Sequence, residues 1–262
     1  MINLPGLKLN EPLSLHTTFK IGGPAQYFYQ ATTTKDLVAA VKQAQKHDLP
    51  CLVIGHGSNI LVSDQGIKGL VILNQTNQIK LKANHQAELD SGVFLPKAIF
   101  YLINQGLTGL EVFSGIPATV GGATAVKMHG VDCNWEDFIV SINRYEEVIL
   151  SVVLQLQSGD KAAALAKAKA IQFDKRRQPQ QSAGCIFKNP PGQSAGAIID
   201  NQLKLKGIKI GQAQISVKPA NFIENLGQAT AADVIKLIQL VKSEAKEKLN
   251  LNLELEIGLL GF

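Results

Sequence analysis

The sequence has little of what marks the specialised classes of protein. It has three cysteines, Cys51, Cys133 and Cys185, far apart and with no C-x-x-C pair. Such spacing argues against a disulfide framework and against a zinc site. The five histidines do not cluster, so no metal is expected. No apolar run approaches the length that spans a bilayer. The opening Met-Ile-Asn-Leu-Pro-Gly has no charged segment followed by an apolar one, as a secretion signal would. Internal repeats and low-complexity tracts are absent. No basic patch interleaves with aromatics, so a nucleic-acid partner is not expected. The expectation is a reduced, cytoplasmic protein with neither a membrane nor a nucleic-acid partner.

What is present is ordinary globular composition: 262 residues, 45% hydrophobic and 18% charged. That is enough for one large or two modest domains. The net charge of +5 is spread along the chain. It reads either as a solvated surface or as a preference for anionic ligands such as phosphates.

Residues 26–31 alternate with aromatics and read as a strand. Thr34 is placed to cap a helix from 35 to about 47, with Leu37, Val38, Val41 and Ala44 on one face. Residues 51–54 form a second short strand, completing a βαβ unit. The loop Gly55-His56-Gly57-Ser58-Asn59 follows. Its two glycines allow close backbone approach, and its successive N–H groups suit an anion. A tight strand-to-strand turn reads equally well. It is not a G-x-G-x-x-G fingerprint, because residues 60–62 read as strand rather than helix. Further strands are expected at 69–73, 138–142 and 148–156, and helices at 96–105 and 161–170. Residues 109–122 hold Gly115-Ile116-Pro117 and Gly121-Gly122. Glycines this dense around a proline read as a bed for a flat or phosphorylated ligand.

Residues 182–190, Ser-Ala-Gly-Cys-Ile-Phe-Lys-Asn-Pro, follow the basic run Lys175, Arg176, Arg177. They read as a strand led by Gly184 that presents Cys185 as nucleophile or acid, or as a core strand with a buried thiol. Thr230 caps a last helix with the stripe Val234, Leu237, Ile238, Val241, Ala245 and Leu249. Residues 251–260 alternate strictly. The alternation predicts a strand with Glu254 and Glu256 on one face, where carboxylates are ordinarily solvated.

Taken in order, these stretches resemble the UDP-N-acetylenolpyruvoylglucosamine reductase family. Residues 17–25, TTFKIGGPA, are similar to the family's opening. Residues 54–64, IGHGSNILVSD, are similar to GxGSNxLVxD, and residues 109–123 to GLExxSGIPGTVGGA. Residues 184–190 resemble GSxFKNP, with Cys185 in place of the usual Ser, and residues 253–261 resemble LExEVRxIG. The resemblance implies an α+β chain. Its fold would be a vanillyl-alcohol-oxidase-type (PCMH-type) FAD-binding fold in two subdomains plus a C-terminal α+β substrate-binding lobe. The implied domains are 1–157 for FAD, with subdomains of about 1–73 and 74–157, and 158–262 for substrate. Non-covalent FAD would lie on Gly55, His56, Gly57, Ser58 and Asn59, and on Ser114, Gly115, Ile116, Pro117, Val120, Gly121 and Gly122.

The implied chemistry passes a hydride from NADPH to the flavin. The flavin then passes it to the enolpyruvyl double bond of a UDP-sugar, in peptidoglycan synthesis. The second step needs an acid and electrostatic support for an enolate. Cys185 takes the acid's position, and a thiol is a stronger acid than a serine hydroxyl. Glu256 takes that of the carboxylate that polarises the substrate carboxyl group. Asn189 matches a residue on the substrate diphosphate, and Arg177 is a second candidate there. The implied partner is this small-molecule UDP-sugar enolpyruvyl ether, and a monomer is expected.

The sequence departs from the family pattern at Ala118 for Gly, Pro219 for His, Gly258 for Arg, and His56 between two glycines. Between Gly122 and Leu156 the family's M-N-A-G-A-Y-G and its Y-R-x-S-x-F segment have no full counterpart. The third catalytic residue that the family implies, an arginine, has no match, and Arg144-Tyr145 holds the two residue types in reverse order. An alternative reading is a catalytically impaired member that binds flavin or UDP-sugar in a regulatory or structural role.

Overall fold

The computed structural model describes residues 2–130 and 133–262. The chain forms two compact units. One takes the residues up to Lys8, Tyr27–His56 and Gly69–Arg177. The other takes Leu9–Gln26, Gly57–Lys68 and Gln178–Phe262.

In chain order, β1 (Lys8–Pro12), β2 (Pro24–Ala31), α1 (Thr34–Lys46), β3 (Cys51–Ile54), β4 (Ile60–Val62) and β5 (Ile67–Asn74) come first. Strands β2, β5 and β3 lie side by side with β1 at the edge, and β3 runs parallel to β5. Helix α1 is capped by Thr33, one residue before the expected cap. The Thr33 hydroxyl accepts the Asp36 N–H and the Asp36 carboxylate returns the bond. This reciprocal cap satisfies two helix-end donors at once. Leu37, Ala40, Val41 and Ala44 bury its apolar face.

Next come β6 (Ile79–Leu81), β7 (Gln86–Asp90), α2 (Leu95–Asn104), β8 (Leu107–Thr108), α3 (Val120–Ala125), β9 (Ile139–Tyr145), β10 (Val148–Gln155), β11 (Gln157–Ser158) and α4 (Lys161–Lys175). The sheet order is β6-β7-β10-β9, all antiparallel. Helix α4 runs five residues beyond the expected end because Asp160 caps it firmly and nothing in the sequence breaks it before Lys175. The core of this sheet gathers Leu89, Ile99, Leu102, Phe113, Trp135, Val152 and Ala168.

The second unit adds α5 (Ala195–Ala197), β12 (Lys209–Ile210), β13 (Ala213–Ile215), β14 (Ile223–Asn225), α6 (Ala231–Leu249) and β15 (Gly258–Leu260). Its three-stranded sheet has the order β12-β13-β14, and β15 pairs parallel to β4. Val234, Leu237, Ile238, Val241 and Ala245 of α6 enter one core with Phe19, Leu61, Phe187 and Ile257. Leu249, counted into that stripe by its spacing, is 37% exposed at the helix end.

Two expected strands are corrected. Residues 182–190 form no strand, only a single bridge of Phe187 to Leu255. Of residues 251–260, only β15 is a strand. Leu253 and Ile257 are buried as the alternation predicts, but Leu259 is 37% exposed. An alternating pattern fixes which residues face inward, while a strand also needs a partner along its length.

Candidate active site

Two glycine-rich stretches meet within the first unit. Gly55 follows β3 and lies against Thr119, so close that a Cβ on it would sit 2.3 Å from the Thr119 hydroxyl. Phe94 forms a bridge with Thr119, and the His56 ring lies 4.8 Å from the Phe94 ring, tilted by 45°. Thr119 caps α3 by accepting the Gly122 N–H at 3.2 Å. The N–H groups of Val120 and Gly121 donate to the carbonyls of Val93 and Ser91 at 2.9 and 2.7 Å. A Cβ on Gly121 would lie 2.8 Å from the Ser91 Cβ. Ser91 is buried and receives the Asn74 amide at 2.7 Å. The N–H groups at 120–122 are therefore already satisfied, and any ligand here meets shape and apolar surface rather than open donors.

Several residues assigned to the cofactor on sequence grounds have structural employment. Ser114 is fully buried and its hydroxyl donates to the Ala168 carbonyl of α4. A Cβ on Gly115 would lie 2.5 Å from Lys175 Cγ, so this glycine lets α4 pass. Val120 is fully buried in the core, Ile116 is half-buried and Pro117 is exposed. Ala118 and His56, which interrupt the glycine pattern, do not have positive φ, so neither needs to be glycine.

In the second unit, Gly57 is buried at φ +68°, and a Cβ there would lie 2.2 Å from the His16 carbonyl oxygen. Its own carbonyl accepts the Thr18 N–H at 3.1 Å. Among the described residues, the N–H groups of Gly57 and Ser58 donate to no other backbone group. Two successive uncommitted N–H groups at a left-handed glycine make an anion nest. These residues fit the pyrophosphate of FAD, and the ring pair and Thr119 turn in the first unit fit a flat aromatic group.

The segment holding Cys185 lies beside the one holding Glu256. Lys188 N–H donates to the Glu254 carbonyl and Glu256 N–H to the Ile186 carbonyl, both at 2.9 Å. Glu256 thus stands opposite Ile186, the residue after Cys185. Buried Asn221 replaces a missing strand partner here. Its side chain accepts the Phe187 N–H at 3.0 Å and donates to the Phe187 carbonyl at 2.8 Å, and its own carbonyl accepts the Ile186 N–H. Asn59 reaches the same place: its Nδ2 donates to the Glu256 carbonyl at 3.2 Å. Glu256 is exposed and Cys185 half-buried. No cysteine is in a disulfide among the described residues.

Asn189 is exposed and its Oδ1 accepts the Ala195 N–H at 2.9 Å. The Arg177 guanidinium lies 5.2 Å from the Phe173 ring, at the exposed end of α4. Arg144 sits in β9 and donates to the Glu147 carbonyl of its own hairpin at 3.3 Å. Sequence reasoning missed Asn221 and Thr18 as individual residues. Thr18 lies inside residues 17–25, which resemble the family's opening, and that resemblance was its only signal.

Among the described residues no three His, Cys, Asp or Glu side chains gather in a way that could hold a metal ion. No described helix is long and apolar enough to cross a membrane.

Comparison with known proteins covers nearly the whole chain. Residues 176–260 match UDP-N-acetylenolpyruvoylglucosamine reductase, C-terminal domain, and residues 25–150 match FAD binding domain. The chain is 37% identical to UDP-N-acetylenolpyruvoylglucosamine reductase of Chlamydia trachomatis serovar D over 279 aligned positions, covering 96% of this chain and 95% of that one. It is 35% identical to UDP-N-acetylenolpyruvoylglucosamine reductase 2 of Symbiobacterium thermophilum, covering 100% and 94%. The crystal structure of the reductase from Thermus caldophilus superposes with a TM-score of 0.79 at 32% identity, over 97% of this chain and 98% of that one.

Proposed function

The chain belongs to the UDP-N-acetylenolpyruvoylglucosamine reductase family, and from that premise we infer that it makes UDP-N-acetylmuramate for peptidoglycan. The substrate is UDP-N-acetylglucosamine enolpyruvate, the reductant is NADPH, and the cofactor is non-covalent FAD. The fold is the α+β flavin-binding fold of the vanillyl-alcohol-oxidase type. Identities above 30% across nearly all of both chains do not favour the alternative of a member without turnover.

One observation carries the reading of the site. The segment of Cys185, that of Glu256 and the Asn59 side chain converge through backbone hydrogen bonds within one unit. When bound, FAD supplies reducing equivalents from NADPH to the enolpyruvyl double bond. The Gly57 and Ser58 N–H groups hold its pyrophosphate. In the first unit, residues 120–122 would meet a ligand with shape rather than with open donors, their N–H groups being already bonded. Cys185 holds the proton that goes to the carbon next to the one reduced. Glu256, in the position of the family's carboxylate, would face the substrate carboxyl group and polarise it. The exposed amide of Asn189 binds the substrate diphosphate, and Arg177 is a second contact there. Residues 1–157 serve the flavin and 158–262 the substrate, with the loop at 55–59 shared between the two tasks.

The test is an anaerobic spectral titration. NADPH should bleach the flavin band of the purified protein, and the enolpyruvyl substrate should restore it. Bound flavin that NADPH reduces and substrate never reoxidises would sink this function.

A further inference from the structure

Thr18 has no role in the site as described so far, yet it makes two hydrogen bonds in different directions. Its N–H donates to the Gly57 carbonyl at 3.1 Å, and its hydroxyl to the Ser182 carbonyl at 2.7 Å. A second contact of the hydroxyl, to the Gly57 carbonyl, is longer at 3.3 Å. A hydroxyl has one proton to donate, and the shorter contact takes it. Ser182 is buried and lies three residues before Cys185. The next constraint along that segment is Asn221, on Ile186 and Phe187. The Cys185 backbone is thus held from both sides, by Thr18 ahead of it and by Asn221 behind it. Asn221 belongs to the same lobe as Cys185. Thr18 is the contact that joins this segment to the loop at 57–59.

Asn59 does the matching job at the other end of that loop. Its Nδ2 donates to the Glu256 carbonyl at 3.2 Å, and its own carbonyl accepts the Gly258 N–H at 2.9 Å. One N–H of this carboxamide is thus spent on the chain. Gly57 between them cannot shift, because its missing Cβ is what lets it sit against His16 and Thr17.

We propose that Thr18 and Asn59 are positioning residues that register Cys185 and Glu256 to the flavin-binding loop at 57–59, one residue for each catalytic group. The proposal rests on the reading that this loop holds the flavin and that Cys185 and Glu256 act on the substrate. Proton delivery to the carbon beside the reduced one needs acid and cofactor in fixed relation. Misplacement by about 1 Å can cost on the order of 100-fold in rate. Reduction by NADPH uses neither Cys185 nor Glu256, so a registration device has no bearing on that half.

The experiment compares Thr18→Val, Thr18→Ser and Asn59→Ala with the wild-type holoprotein. Stopped-flow absorbance follows each half-reaction, with the flavin-to-protein ratio and melting temperature as controls. Thr18→Val keeps the shape and the N–H bond and removes only the hydroxyl donor. It should slow reoxidation of the reduced flavin by substrate about 10-fold or more, with reduction by NADPH unchanged within about twofold. Asn59→Ala should slow reoxidation likewise in the flavin-loaded fraction, and Thr18→Ser should keep wild-type behaviour in both half-reactions within about threefold. Equal slowing of both half-reactions, loss tracking flavin content alone, or wild-type rates in both variants would overturn the proposal. If Thr18→Val does not fold, Thr18→Ala set against Thr18→Ser decides it by the same split. A wild-type protein that substrate cannot reoxidise would bring down the functional reading as well. A wild-type protein that turns over beside unaffected variants brings down only this inference.

Discussion

Cys185 is where a single residue departs most from its family and where the chemistry is easiest to isolate. A thiol and a hydroxyl both deliver a proton, the thiol being the stronger acid. Cys185→Ser should therefore leave a working enzyme, with substrate-driven reoxidation of the flavin within about tenfold of wild type. Cys185→Ala removes the acid, and general-acid contributions of about 10²–10⁴ set the expected loss. Single-turnover kinetics of reoxidation, beside NADPH reduction as the unaffected control, reads both variants. At this scale the sequence offers candidates for the chemistry and is silent about what supports them. Cys185, Glu256 and the loop at 55–59 could be named because their residue types and neighbours form motifs. Thr18 and Asn221 could not be named. Their bonds span 164 and 34 residues of chain, and no local pattern marks a hydrogen bond of that range. Gly55, Gly115 and Gly121 were read as room for a ligand, and a Cβ on each would strike Thr119, Lys175 or Ser91, so each also serves a close approach within the chain. A glycine records a close approach without saying whose.

Among the elements, α6 shows how one shared cap ties distant chain segments together. The Asp64 carboxylate accepts the Ala231 and Ala232 N–H groups at 2.8 and 3.0 Å, and the Thr230 hydroxyl accepts that of Asp233. This satisfies the helix-end donors that water would otherwise serve. Asp64→Ala should cost about 1–2 kcal/mol in chemical denaturation, with Asp64→Asn costing less because one acceptor remains. The strand β7 supplies a pH prediction. The Lys82 ammonium hydrogen-bonded to Glu88 at 2.8 Å holds its carboxyl below the usual carboxylate range, against the opposing effect of burial, and the Ser151 hydroxyl adds to the lowering. A depressed folded-state pKa means a contribution that is present above the unfolded value of ~4.3 and lost as pH falls through the folded one. The stability gap between wild type and Glu88→Gln, below about 1 kcal/mol for so accessible a pair, should thus exist at pH 7 and close under acid. Urea titrations at both pH values measure it. Helices were legible because caps and stripes are local, as at Asp160 and Thr230. Strands β6 and β7 were missed, being three and five residues long and polar at alternate or more positions. Their pairing with each other and with β10 is what makes them strands.

For the whole molecule the informative feature is a segment that is not there. The alignment with the Chlamydia trachomatis reductase runs to 279 positions against 262 residues here, so that relative carries residues with no counterpart in this chain. The structure closes β9 onto β10 through Glu146-Glu147 alone, with Glu146 at φ +50°. This is the region where the family motif would supply its arginine. The nearest candidate by sequence is Arg144, and the structure gives it local employment. It is exposed, stands opposite Ile149, and donates to the Glu147 carbonyl of its own turn. Arg144→Ala should accordingly leave both half-reactions within about twofold of wild type, given how little exposed surface contacts contribute. On the proposed site, the substrate carboxylate then goes without the arginine that the family motif would supply, a loss worth on the order of 100-fold in such sites. A small cation offered from solution should recover part of it. Guanidinium chloride at low millimolar concentration, far below denaturing levels, should speed substrate-driven reoxidation more than sodium chloride at equal ionic strength, and leave NADPH reduction alone. The same addition should do nothing for a relative that keeps the arginine. If guanidinium and sodium act alike while Arg144→Ala is inert, another cation of this chain fills the position. Alanine scanning of the lysines, read by the same half-reaction, would then identify it.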